Sequence, residues 1–200
     1  MILYYSQYMT TQARRRQDTR RRILSAAGKL FRAQGFDKTS VDRIVAGAEV
    51  AKGTFYQYFQ AKIDVALALG SEAQQQSLEE IRSKLAAGQS PLAVGGEFLQ
   101  STADWVEKNR GIARPLSLHA LEKPRTQTPS SMRAMLALVF AAARKKGEIR
   151  TDLPAEHISE LLVGNLALTV LHWTMHGKRG QLAGWLGFAW KLHLEGALPR

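Results

Sequence analysis

No cysteine occurs among the 200 residues, so this chain can build neither a disulfide framework nor a thiolate metal site. Acidic residues are scarce: 17 Asp/Glu stand against 28 Lys/Arg, a formal net charge of +11. Long apolar runs are missing as well. The longest, Leu161 to Val170, is broken by Gly164 and Asn165 and is too short by itself to span a bilayer. The first nine residues, MILYYSQYM, lack a basic leading segment and a small-residue cleavage site, so no secretory signal is expected. Met9 opens MTTQARRRQDTRRR and is a second candidate start of translation. No strand-type alternation, internal repeat, phosphate-binding glycine loop or catalytic nucleophile turn is present. These absences leave an all-α protein, expected in the cytoplasm, with no membrane partner, no cofactor and no enzymatic activity.

The positive charge is concentrated. Residues 1–62 carry 12 Lys/Arg against 4 Asp/Glu, a balance of +8, whereas residues 63–200 carry 16 against 13. That asymmetry calls for a polyanionic partner at the N-terminal end. Charge alone does not separate DNA from RNA or an anionic membrane, but the pattern within 18–62 does. Ile23, Ala26, Ala27, Leu30 and Phe31 make one apolar stripe at helical spacing. Gly35 follows where a helix ends. Asp37-Lys38-Thr39-Ser40 supplies turn and cap chemistry, with either Thr39 (paired with Asp42) or Ser40 as the cap. Val41, Ile44, Val45 and Ala48 repeat the spacing in a second short helix. A third begins near Ala51, turns Phe55 and Phe59 inward, and offers Lys52, Gly53, Thr54, Tyr56, Gln57 and Tyr58 on its other face.

Such a three-helix unit presents its last helix to the major groove. Lys52 suits guanine O6/N7, the Thr54 side chain a base edge, and the hydroxyls of Tyr56 and Tyr58 suit phosphates. Gly53 allows close approach of the backbone to the groove. Lys62, opening the next helix, is expected at a phosphate. Arg14, Arg15, Arg16, Arg20, Arg21 and Arg22 add a basic run, and residues 1–17 read as a flexible arm. A non-specific basic protein coating nucleic acid would explain the charge, but not this ordered pattern.

The segment resembles the DNA-binding domain of the TetR (tetracycline-repressor-like) family of bacterial regulators. The likeness rests on Ile23, Ala26, Ala27, Leu30, Phe31, Gly35, Thr39, Ser40, Val41, Ile44, Ala48, Val50, Lys52-Gly53-Thr54-Phe55-Tyr56, Tyr58, Phe59 and Lys62. It implies a ligand-responsive repressor acting as a homodimer on a pseudo-palindromic operator of double-stranded DNA. It also implies base contacts at Lys52, Gly53 and Thr54, and phosphate contacts at Thr39, Ser40, Tyr56, Tyr58 and Lys62. Two positions depart from the family pattern. Glu49 stands where the inter-helix turn usually has Gly, which asks a non-glycine residue to adopt a left-handed conformation. Ala51 stands where Ser often caps the third helix.

Residues 63–200 read as a larger helical domain for effector binding and dimerisation. Helices are expected over 62–87, 90–109, 131–146, 155–175 and 181–194, with 111–121 less regular and 123–130 a loop. Ile158, Leu161, Leu162, Asn165, Leu168, Thr169, His172 and Trp173 form a wide apolar face, and Leu182, Trp185, Leu186, Ala189 and Leu192 a second. Two such helices per subunit suit a four-helix dimer interface, or an internal core. The resemblance further implies a cavity for a small hydrophobic effector, with Phe98, Trp105, Met132, Phe140 and Trp173 as candidate walls and His119 or Asn165 as polar guides. His172 and His176 share a helical face but have no third ligand by sequence, so no metal is assigned.

Overall fold

The computed structural model describes residues 2–122, 131–152 and 154–197, with side chains from Gln12 onward except at 120, 121 and 197. The expected loop at 123–130 lies outside the described residues. All regular structure among them is helical: α1 (Ile2–Gln34), α2 (Val41–Ala48), α3 (Lys52–Tyr58), α4 (Lys62–Ala86), α5 (Pro91–Lys108), α6 (Arg110–Glu122), α7 (Met132–Lys145), α8 (Ala155–His176) and α9 (Leu182–Ala197). The chain forms two compact units, Met1–Leu69 and Gly70–Arg200, divided within α4 rather than at Lys62.

In the first unit, helix α1 already runs from Ile2, through the segment expected as an arm. Its Gln, Ala and Arg residues are straight-chained or small and give up little freedom in a helix. Helices α2 and α3 have 8 and 7 residues, too short to persist alone. They share a core in which Ile23, Ala27, Phe31, Ile44 and Phe55 are fully enclosed, each large apolar side chain contributing roughly 1.5–3 kcal/mol.

Two turns set the geometry of this unit. After α1, Gly35 takes φ +82°, and the buried Thr39 hydroxyl donates to Gly35 O at 2.7 Å. Ser40 then caps α2, its Oγ accepting from Arg43 N at 3.2 Å. Between α2 and α3, Glu49 adopts φ 52°, ψ 49°, the left-handed conformation expected at that position. The Val50 amide closes back on Val45 O at 3.1 Å, completing a Schellman-type ending. Arg22 of α1 holds the strained residue, donating to Glu49 O at 2.9 Å and to its carboxylate at 3.3 Å. Ala51 starts α3 with no side-chain cap.

In the second unit α5 packs on α7 and α9, and α8 packs on α6, α7 and α9. The core includes Phe98, Leu99, Met135, Leu136, Val139, Phe140, Leu162, Trp173, Leu186 and Trp190. Gly95 makes room for Trp190: a Cβ there would lie 2.6 Å from the indole. The α5–α6 corner grips the start of α9. Glu107 accepts from Gly180 N at 2.7 Å and Leu182 N at 2.9 Å, while Arg110 donates to Gly177 O and lies 4.4 Å over the Trp173 ring.

Segment 110–122 is helical, not irregular, despite Pro115 within it. Burial of Ile112, Ala113 and Ser117 compensates for the donor that proline removes. Helix α8, with 22 residues, is long and apolar enough by composition to cross a membrane. One side of it is core of this unit, and the other carries Asn165 and His172 beside Leu161 and Leu168.

Candidate nucleic-acid interface and effector cavity

Helix α3 divides its side chains cleanly. Phe55 is fully buried and Phe59 nearly so, their rings 5.9 Å apart, which fixes the rotation of the helix. Lys52, Gly53, Tyr56 and Gln57 are consequently exposed, and Thr54 and Tyr58 are half-buried. Nothing lies within 4 Å of where a Cβ on Gly53 would stand, so no packing in this unit requires a glycine there. Lys52 pairs with Asp42 of α2 at 2.8 Å, and that hydrogen bond and charge raise the ammonium above its ordinary pKa. Both partners are open to solvent, where such a pair is weak and readily exchanged for another anion.

Two expected phosphate contacts are turned inward. Thr39 is buried, its hydroxyl donated to Gly35 O while also accepting from Gln34 Nε2 at 3.1 Å. Lys62 donates to Phe36 O at 2.6 Å and Thr39 O at 2.8 Å, with its ammonium 4.1 Å over the Phe36 ring. Both residues secure the α1–α2 turn. Ser40 is exposed at the start of α2. Of the basic run, Arg20 lies 5.7 Å over the Phe59 ring and Arg22 holds Glu49, while Arg14, Arg15, Arg16 and Arg21 are exposed.

The second unit contains a cavity of about 380 Å³, partly open to solvent and within the size range of sites for small organic ligands. Helix α4 contributes Gly70, Ala73, Gln74 and Ser77; α5 contributes Phe98, Thr102 and Trp105; α8 contributes Val163, Leu166, Ala167 and Val170. Leu116, Ser117, Met132 and Leu186 complete much of the wall.

A family model described as bacterial regulatory proteins of the tetR family matches residues 23–69. A second, for the C-terminal domain of TetR/AcrR family transcriptional repressors, matches residues 71–196. The chain belongs to the TetR family. It is a DNA-binding transcriptional repressor of that family. Similar proteins include the fatty acid metabolism regulator of Bacillus subtilis strain 168, 25% identical over 169 residues that cover 80% of this chain and 86% of the relative. The regulator UidR of Escherichia coli K12 is 26% identical over 160 residues, covering 78% and 80%. Among solved structures, the repressor FadR of Thermus thermophilus in complex with lauroyl-CoA matches with a TM-score of 0.76 at 28% identity, covering 90% of this chain and 96% of that one.

For this TetR-family chain the cavity differs in part from the expected one. Phe98, Trp105 and Met132 line it, but His119, Phe140 and Trp173 do not. Phe140 is fully buried against Trp190, ring centroids 5.5 Å apart. Trp173 is fully buried at the corner below Arg110, donating Nε1–H to Lys178 O. His119 is half-buried two residues beyond the cavity-lining Ser117. Asn165 lies elsewhere, in a groove with Leu168, Thr169, His172, Trp185 and Phe188 on the outer side of α8 and α9. Small and polar wall residues such as Ser77, Thr102 and Ala167 escape sequence reasoning. Their one signal is spacing: Gly70, Ala73, Gln74 and Ser77, like Val163, Leu166, Ala167 and Val170, fall on a single helical stripe.

Proposed function

We propose that the protein acts as a homodimer that holds a pseudo-palindromic operator through α3 and releases it when a small apolar molecule fills the cavity of the second unit. The reading of DNA rests on one observation above all. With Phe55 and Phe59 buried, α3 turns Lys52, Gly53 and Tyr56 outward as a contiguous face, with Thr54 and Tyr58 at its edges. Lys52 and Thr54 supply base-edge contacts, and Ser40, Tyr56 and Tyr58 hold phosphates. Such a regulator works in the cytoplasm, where bacterial DNA lies.

Dimerisation is supported by the outer surface of α8 and α9. Leu161 (70% exposed), Leu168 and Met175 recur at seven-residue intervals on α8, and Phe188 (64%) and Leu192 stand four apart on α9. An exposed apolar surface of this kind marks an interaction site, and two copies related by a two-fold axis cover it with a four-helix interface. The lauroyl-CoA of the Thermus relative supports an effector with a long apolar part. Filling the cavity shifts the population of the dimer away from the head spacing that fits successive major grooves, limited by the ligand's differential affinity for the two states.

Recovery of genomic fragments by the purified protein tests this. Enrichment of a short pseudo-palindrome, lost in a Lys52→Ala/Thr54→Ala variant, is expected. Indiscriminate recovery by both proteins would mean that charge alone drives binding.

A further inference from the structure

The hydrogen-bonding character of the cavity wall limits the head group of the effector. Two hydroxyls in the wall have already committed their protons. Ser77 Oγ donates to Ala73 O at 3.2 Å, and Thr102 Oγ1 donates to Phe98 O at 2.8 Å. Either hydroxyl can therefore meet a ligand only as an acceptor. Among the described residues, the wall carries one ionisable side chain, and it is a carboxylate, Glu80 on the exposed side. No Lys or Arg is among these wall residues.

The depression beside that opening shares Ser77, Glu80, Phe98 and Ser101 with the cavity. It adds Lys84 and Glu97, which are paired with each other at 2.7 Å. Among the described residues the opening thus has two carboxylates and one ammonium, and that ammonium is hydrogen-bonded to Glu97 while also feeling the charge of Glu80, which leaves a net negative balance. Trp105 adds an aromatic face to the same wall, a surface that attracts cations. An anionic head would meet the neutral donors of Gln74, Gln76, Ser101 and Ser117 but no described basic residue in the wall; a protonated amine would meet the Ser77 and Thr102 oxygens, the Trp105 face and the one charged group, the Glu80 carboxylate.

From this we infer that the cavity selects an apolar chain or ring bearing a protonated amine, in preference to a carboxylate or phosphate ester. This rests on the effector-cavity reading above. It separates the chain from the relative whose structure holds lauroyl-CoA.

The test compares four probes of one chain length on the full-length protein: dodecylamine, dodecanol, laurate and lauroyl-CoA, each below its micellar range. Binding is counted as the part abolished by filling the cavity with Ala167→Trp, or with Ser77→Leu should the first variant fail to fold, so that adsorption of anions to the basic first unit drops out. The expected order is amine, then alcohol, then laurate and lauroyl-CoA. Glu80→Gln should weaken the amine about fivefold, as for a solvent-screened ion pair, and bring it toward the alcohol. Cavity-dependent binding of laurate or lauroyl-CoA as tight as the amine overturns the inference, as does amine affinity unmoved by Glu80→Gln, and in either case dodecanol binding leaves the cavity reading standing. If even dodecanol shows no cavity-dependent binding, the effector-cavity reading falls and this inference falls with it.

Discussion

The two compact units use helices in opposite ways. In the first, α2 and α3 are so short that nearly every side chain has a single role, with Phe55 in the core and Tyr56 beside it half exposed. In the second, 22-residue α8 has to serve two surfaces at once. Ile158, Leu162 and Trp173 go to the core, while Leu161, Leu168 and Met175, equally apolar, go to solvent. A helix with one apolar side is readable from its period. A helix apolar on both sides is readable only once its neighbours are known.

That contrast can be broken, starting with the largest effect. Phe55→Ala should cost about 3–5 kcal/mol by urea denaturation, the range for emptying a buried aromatic site, whereas Tyr56→Ala should leave stability within about 0.5 kcal/mol. Comparable losses from both would show that α3 does not separate core from contact face. On the outer face of α8 and α9, Leu168→Glu with Phe188→Glu should turn dimer into monomer in sedimentation velocity, with unfolding little changed because both side chains are exposed. Lys62→Ala should lower the thermal midpoint, since it removes two charge-assisted hydrogen bonds at the α1–α2 turn, a loss of about 2–3 kcal/mol. A variant with unchanged melting, but a salt slope of DNA binding reduced by about one, would return Lys62 to the phosphate role. The smallest effect sharpens the picture most. Gly53→Ala meets open space and should stabilise α3 by up to about 1 kcal/mol while weakening operator binding, a divergence that only a backbone-to-groove contact produces.

The exposed face of α3, proposed here to read DNA, is largely legible in the sequence because its signals are local. The stripe on α1, the strained Glu49 and the missing cap at Ala51 each follow from residues a few positions apart. Lys62 is held for a non-local reason, since the Phe36 and Thr39 carbonyls and the Phe36 ring that receive it lie 26 and 23 residues earlier, whereas Thr39 finds Gly35 O only four residues away. The cavity is harder still. Sequence reasoning favours bulky aromatics, yet a cavity is where bulk is lacking, as at Gly70, Ala73 and Ala167. Phe140 and Trp173 have the same helical spacing whether they face a void or, as here, fill the core.

The central claim, that α3 reads sequence, is tested most directly by titrating the enriched duplex and a scrambled duplex of equal length and composition at two salt concentrations. Wild-type protein should prefer the enriched duplex by roughly a hundredfold or more at both, and Lys52→Ala/Thr54→Ala should lose that preference while keeping most of its affinity for the scrambled duplex. Equal wild-type affinity for both duplexes, falling steeply and in parallel with salt, would contradict the account and leave a basic surface that binds any DNA.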